Sequence, residues 1–179
     1  MSVTRFLGVA PDQRPIHLLE LRNGHGWSPS IWDRLTGEKF VYWNDPVMDR
    51  LWQGIEDDPL WRQVPNVLTF DTGIVPAEAF EEAAAALEEF ERRIPAPDGR
   101  ANHVPAMIDL LRSSPEVPFI GVWGTSVSEN PFDPWDEEAD KPASGIPLRD
   151  MYLLGRWWPL VPDYAESHGF PRGSAPPAA

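Results

Sequence analysis

Hydrophobic and polar residues alternate in short blocks along this chain, and the period of the blocks changes as it proceeds. Residues 5–10 and 16–22 are apolar runs of strand length, separated by Pro11-Asp12-Gln13-Arg14-Pro15, whose prolines and aspartate favour a turn. Asn23-Gly24-His25-Gly26 predicts a second turn or flexible loop, and Phe40-Val41-Tyr42-Trp43 a third strand after Thr36-Gly37. The pattern then becomes helical. Asp45-Pro46 offers an N-cap followed by proline at the first helical position, and Val47, Met48, Leu51, Trp52 and Ile55 follow on one apolar face. Asp58-Pro59 repeats that start signal before a short turn carrying Leu60 and Trp61, with the aspartate as N-cap. Residues 67–70 (Val-Leu-Thr-Phe) predict a compact strand, ended by Asp71-Thr72-Gly73.

The longest helix is expected over 76–94. Phe80, Ala83, Ala84, Leu87, Phe90 and Ile94 form one apolar stripe, six glutamates cover the remainder, and Arg92-Arg93 complement the C-terminal end of the dipole before Pro95 stops it. A further helix is predicted from near Asn102, carrying Val104, Met107, Ile108 and Leu111 up to Ser113. Residues 117–124 predict a buried strand, with Pro118 near its start, where a missing N–H is tolerated. From 125 to 147 polar residues, glycine and proline dominate, and no regular structure is expected. Residues 149–158 are apolar again and compatible with helix or strand. Residues 171–179 are a low-complexity tail of proline, glycine, serine, arginine and alanine. The fold expected is α+β: a single domain over residues 1–170, with a mixed or antiparallel sheet, two to three helices and long Pro-rich loops.

Composition sharpens this picture in three ways. The chain has no cysteine, which removes disulfides, thiolate catalysis and cysteine-based zinc sites together. No stretch approaches the roughly 20 apolar residues that span a bilayer, and the N-terminal apolar run is too short for a signal peptide, so no membrane partner and a cytoplasmic location are expected. Nine tryptophans among 179 residues exceed what a small core needs, so some are expected at a groove or interface. Thirteen arginines against two lysines fit a GC-rich bacterial genome rather than a dedicated anion site.

The net charge of −13 bears most on function. Phosphate recognition needs a basic patch, so nucleic acid is a poor partner. A basic protein suits such a surface, although acidity can equally serve solubility alone. The charge is densest over 129–140, with six carboxylates and no basic residue. Calcium would need ligands at fixed alternate positions and a central glycine, and neither is present, so no metal and no cofactor is expected. The segment reads either as a solvated charge run or as a partner-binding loop. In the second reading Phe132 and Trp135 are apolar anchors, Asp133, Asp136, Glu137, Glu138 and Asp140 form an acidic rim, and the loop is exposed in the free protein.

Other candidate chemistry is sparse. His17, His25, His103 and His168 are not paired at metal-ligand spacing. Asp71 ends an apolar run, as catalytic carboxylates do in open sheets, but also suits a turn cap. Gly121-Val122-Trp123-Gly124-Thr125-Ser126 matches no phosphate loop or nucleophile elbow. Trp157 and Trp158 cannot share one face of a strand, so one is expected in the core and the other partly exposed. The leading expectation is a small acidic protein that binds and neutralises or regulates a more basic protein, in the manner of immunity proteins and inhibitors. The alternative is a small hydrolase or isomerase whose site is assembled from dispersed Asp, Glu, His and Trp.

Overall fold

A computed structural model describes residues 3–10, 13–23, 26–39, 46, 50–51, 57–69, 73–113, 116–125, 130, 132, 135–136, 138 and 141–142. The fold is α+β: among the described residues, a four-stranded antiparallel sheet and four helices described end to end. The strands are β1 (Val3–Val9), β2 (Ile16–Arg22), β3 (Ile74–Pro76) and β4 (Phe119–Gly124), in spatial order β2-β1-β4-β3. The helices are α1 (Ser28–Thr36), α2 (Leu60–Val67), α3 (Phe80–Arg93) and α4 (Val104–Arg112).

The apolar runs predicted at 5–10, 16–22 and 117–124 are strands with slightly shifted ends. Phe6 pairs with Val122 in β4 and Leu19 in β2; Phe6 and Val122 belong to the core on the helix-bearing face, and the half-buried Leu19 packs against it. Pleating turns the intervening residues to the other face. Leu7, Val9, Ile74 and Phe119 there are also buried. Burial on both faces is why β1 and β4 read as continuous apolar runs rather than as alternation, whereas β2, at the edge, is exposed at Ile16, His17, Glu20 and Arg22.

The 76–94 prediction resolves into a 3-10 turn (Ala77–Ala79) and then α3, the longest helix, with Phe80, Ala83, Ala84, Leu87 and Phe90 buried. It lies between α2 and α4, with only a light contact to β3. Its C-terminal end is capped from outside: the buried Arg34 donates to the Ile94 carbonyl through Nε (2.8 Å) and Nη2, pairs with Glu91 at 2.6 Å and lies over the Phe90 ring. A guanidinium at this end also opposes the negative pole of the helix dipole. At the start of α4, the Asn102 side chain accepts from the Val104 N–H, as the sequence signal near Asn102 implied.

Four expectations are corrected. The strand expected over 67–70 is not formed by residues 67–69: Val67 ends α2, and Leu68 and Thr69 form the turn after it. The apolar cluster belongs to a helix whose interior contains Pro65, and an internal proline normally signals a break. Asp58 is not the N-cap of that helix. Pro59 takes the position with extended backbone, and Asp58 instead reaches Arg62 at 3.4 Å. Helix α1 occupies a stretch for which no element was predicted, closed by Gly37 in the left-handed conformation (φ 73°) with its N–H on the Asp33 carbonyl. Finally, the stretch 125–147 contains two short paired strands, β5 (Trp135–Asp136) and β6 (Lys141–Pro142). Strand 40–43, the aspartates Asp45 and Asp71, residues 149–158 and the 171–179 tail lie outside the described residues; Pro46, Arg50 and Leu51 are helical.

Two tryptophans fasten α1 to the turn after α2. Trp27 Nε1 donates to the Leu68 carbonyl at 3.0 Å, and Trp32 Nε1 to Thr69 Oγ1 at 2.8 Å. Thr69 Oγ1 passes its own proton to the Asn66 carbonyl. Both indoles are fully buried, so their N–H groups need these partners.

Candidate functional site

Phe132 is where the acidic segment meets the fold. Leu7 of β1, Gly121 of β4 and Ile74 of β3 are register partners and form one row across the sheet, on the face away from the helices. Gly121 leaves a notch in that row. A Cβ at Gly121 would lie 2.7–2.9 Å from three carbons of the Phe132 ring, so the ring sits directly on the backbone. Phe132 is 3% exposed, and its N–H bonds to Asn130 Oδ1 at 3.0 Å. The expected exposed aromatic anchor is thus a buried one: Phe132 points into the protein, because Gly121 has no Cβ to hold the ring off the strand. Gly121→Ala is expected to cost about 1–3 kcal/mol through overpacking. A thermal melt of that variant checks the contact.

Beyond Phe132 the chain enters β5, and Trp135 and Asp136 stand opposite Pro142 and Lys141 of β6. Glu138, between the two strands, is exposed. Asp133, Glu137 and Asp140 lie outside the described residues, so of the predicted acidic rim only Asp136 and Glu138 are placed. What sequence reasoning missed here is Gly121. Its signal was a lone glycine inside an apolar strand, which marks a close approach by another group.

Two further features frame the surface. Among the described residues, arginine covers both half-buried tryptophans. Trp123 has the Arg5 guanidinium 5.2 Å from its ring centre, and Trp61 has Arg62 and Arg93 at 5.4 and 5.0 Å. Trp135 is placed only through its backbone, and Trp43, Trp52, Trp157 and Trp158 lie outside the described residues. A cleft of about 340 Å³ opens between the end of α1 and the α3–α4 connection. Its walls are Arg34, Ile94, Pro95 and Pro97, and its rim carries Asp33 and Arg100 in contact at 3.6 Å together with Glu38 and Lys39. Its lining carries charges of both signs, and none of the described histidines lines it. His17 is exposed on β2, and His103 precedes α4 with Nε2 buried. Among the described residues no three His, Asp or Glu side chains group as metal ligands would. None of the described helices is long and apolar enough to cross a membrane.

The glutamates of α3 are largely tied to arginine. Arg112 of α4 bonds Glu88 at 2.6 Å and Glu81 at 3.2 Å, and Arg92 and Arg93 both engage Glu89. Hydrogen bonds from Arg92 and then Arg93 hold the Glu89 carboxyl at about 2, against an ordinary 4.5. The Arg112 hydrogen bond likewise lowers Glu88. A depressed carboxyl contributes stability above its unfolded value, and that contribution fades as pH falls toward 2. A carbon-detected NMR titration is expected to show a Glu89 midpoint near 2. Replacing Arg92 and Arg93 with alanine should return it to the ordinary range; a wild-type midpoint already above 4 would contradict the pairing.

Compared with known proteins, the chain matches no family model, no curated protein and no solved structure.

Proposed function

We propose that the protein is an acidic interaction module that binds a more basic protein and neutralises or regulates it, with 133–140 as its recognition element. The observation that carries this reading is the seating of Phe132 on Gly121. The anchor fixes one end of the most acidic stretch to the sheet, and the β5–β6 pairing closes it. A charged segment held this way loses less conformational entropy on binding than a free one. The net charge of −13 favours a basic protein through complementary potential and opposes nucleic acid. Trp135 supplies the aromatic contact, and Asp133, Asp136, Glu137, Glu138 and Asp140 supply the acidic rim. The proposed setting is the bacterial cytoplasm.

Affinity capture from extracts of its own cell tests the reading. Wild-type protein should retain a basic protein that Trp135→Ala binds at least tenfold more weakly, with both baits melting at the same temperature. Equal retention by the two baits would remove Trp135 from the site. A lower melting temperature for Trp135→Ala would make it a core residue instead.

A further inference from the structure

Strand β2 ends the sheet, and among the described residues only β1 pairs with it. The direction of its free backbone groups follows from its neighbours. The Val3 N–H and C=O both engage Thr125, beyond β4, at 3.4 and 3.0 Å. Val3 therefore makes no bond to Arg22, its register partner in β2. In an antiparallel ladder such pairs alternate, so Arg5 also turns toward β4, and Arg22 and Glu20 point their N–H and C=O groups away from β1. On one face of the sheet the side chains form a charged row: Trp123 under Arg5, then Arg5 bonded to Glu20 at 2.9 Å. Arg22 follows two residues on, exposed and on the same face.

We propose that this edge pairs with itself: two copies of the chain join β2 to β2, antiparallel, about a two-fold axis at Leu21. In that register the outward-pointing Glu20 faces the outward-pointing Arg22 of the second copy, and the symmetry repeats the pair. About four backbone hydrogen bonds and two cross-strand ion pairs result. The row Trp123–Arg5–Glu20 continues into the second copy's Arg22, with charge alternating across the junction. Other registers forfeit this match. An axis at Leu19 would set Glu20 against Leu18, and the irregularity in pairing between Phe6 and Leu7 disrupts that end of the strand. Charge also selects this edge for self-association. Residues 1–22 carry three arginines against two carboxylates, so the rest of the chain carries all the excess negative charge and would repel a second copy.

Sedimentation equilibrium of the full chain, from low to high micromolar concentration, reads the result. The wild type should pass from monomer to dimer. Arg22→Glu and Glu20→Arg should each weaken dimerisation by roughly tenfold or more, because each places like charges at both pairs. An equimolar mixture of the two variants should dimerise again, since it restores opposite charges at both positions. Both positions are exposed, so each variant should melt near the wild type. If Glu20→Arg fails to fold, Arg22→Glu alone still reads the register. A wild type that stays monomeric throughout, variants that dimerise as well as the wild type, or a mixture of folded variants that fails to recover would each overturn the proposal.

Discussion

Trp27→Ala is expected to destabilise the protein by about 3–5 kcal/mol, the range for removing a large aromatic from a core. Three losses combine. The indole is fully buried and meets Phe6 of β1 edge-to-face, with ring centres 5.6 Å apart. Its removal leaves a cavity where α1 joins the sheet. It also strips the buried Leu68 carbonyl of its 3.0 Å donor. An orphaned buried acceptor costs about 1–3 kcal/mol. Trp27→Phe should recover part of the packing but not the hydrogen bond, and so fall between wild type and alanine. Chemical denaturation of the three proteins checks the order, and equal stabilities would remove Trp27 from the core.

Leu87→Ala is expected to cost about 2–5 kcal/mol. Leu87 is fully buried at the middle of α3, the helix that α2 and α4 pack against from either side. The truncation opens a cavity in the core cluster that these helices share. The exposed Ala85, on the opposite side of the same helix, is the control: Ala85→Ser should change stability by no more than about 0.5 kcal/mol. A melting temperature indifferent to Leu87→Ala would contradict the placement of α3 at the centre of the helical layer.

How much of this architecture was legible depended on whether the signal was local. The stripe Phe80–Leu87–Phe90 announces a helix because its burial repeats at the helical period, and the runs around Phe6 and Ile120 announce two strands as short unbroken apolar blocks. Helix α2 was hidden by Pro65, whose local meaning is a break, while tertiary contacts of Val64, Val67 and Leu68 hold the turn in place. Helix α1 was legible in retrospect. Ser28-Pro29 opens it, Ile31, Trp32 and Leu35 share a face, and Gly37 ends it, but the polar run before Ile31 masked the period. Of the candidate site, the acidic residues were visible as composition. The role of Phe132 was not, because it depends on Gly121, eleven residues earlier, opening a gap in the opposite face of the sheet. Pairings of that kind are set by topology, which no local period encodes.

The central claim is that the acidic segment next to Phe132 recruits a basic partner, and association kinetics with the captured partner test it most directly. Steering between opposite charges is screened beyond a Debye length of about 8 Å at 0.15 M salt. The association rate of the wild type should therefore fall as salt rises, while dissociation changes little. The triple variant Asp136→Lys, Glu137→Lys, Glu138→Lys should associate more slowly at low salt and lose most of the salt dependence. An association rate that is independent of salt, or unchanged in the triple variant, would contradict the account.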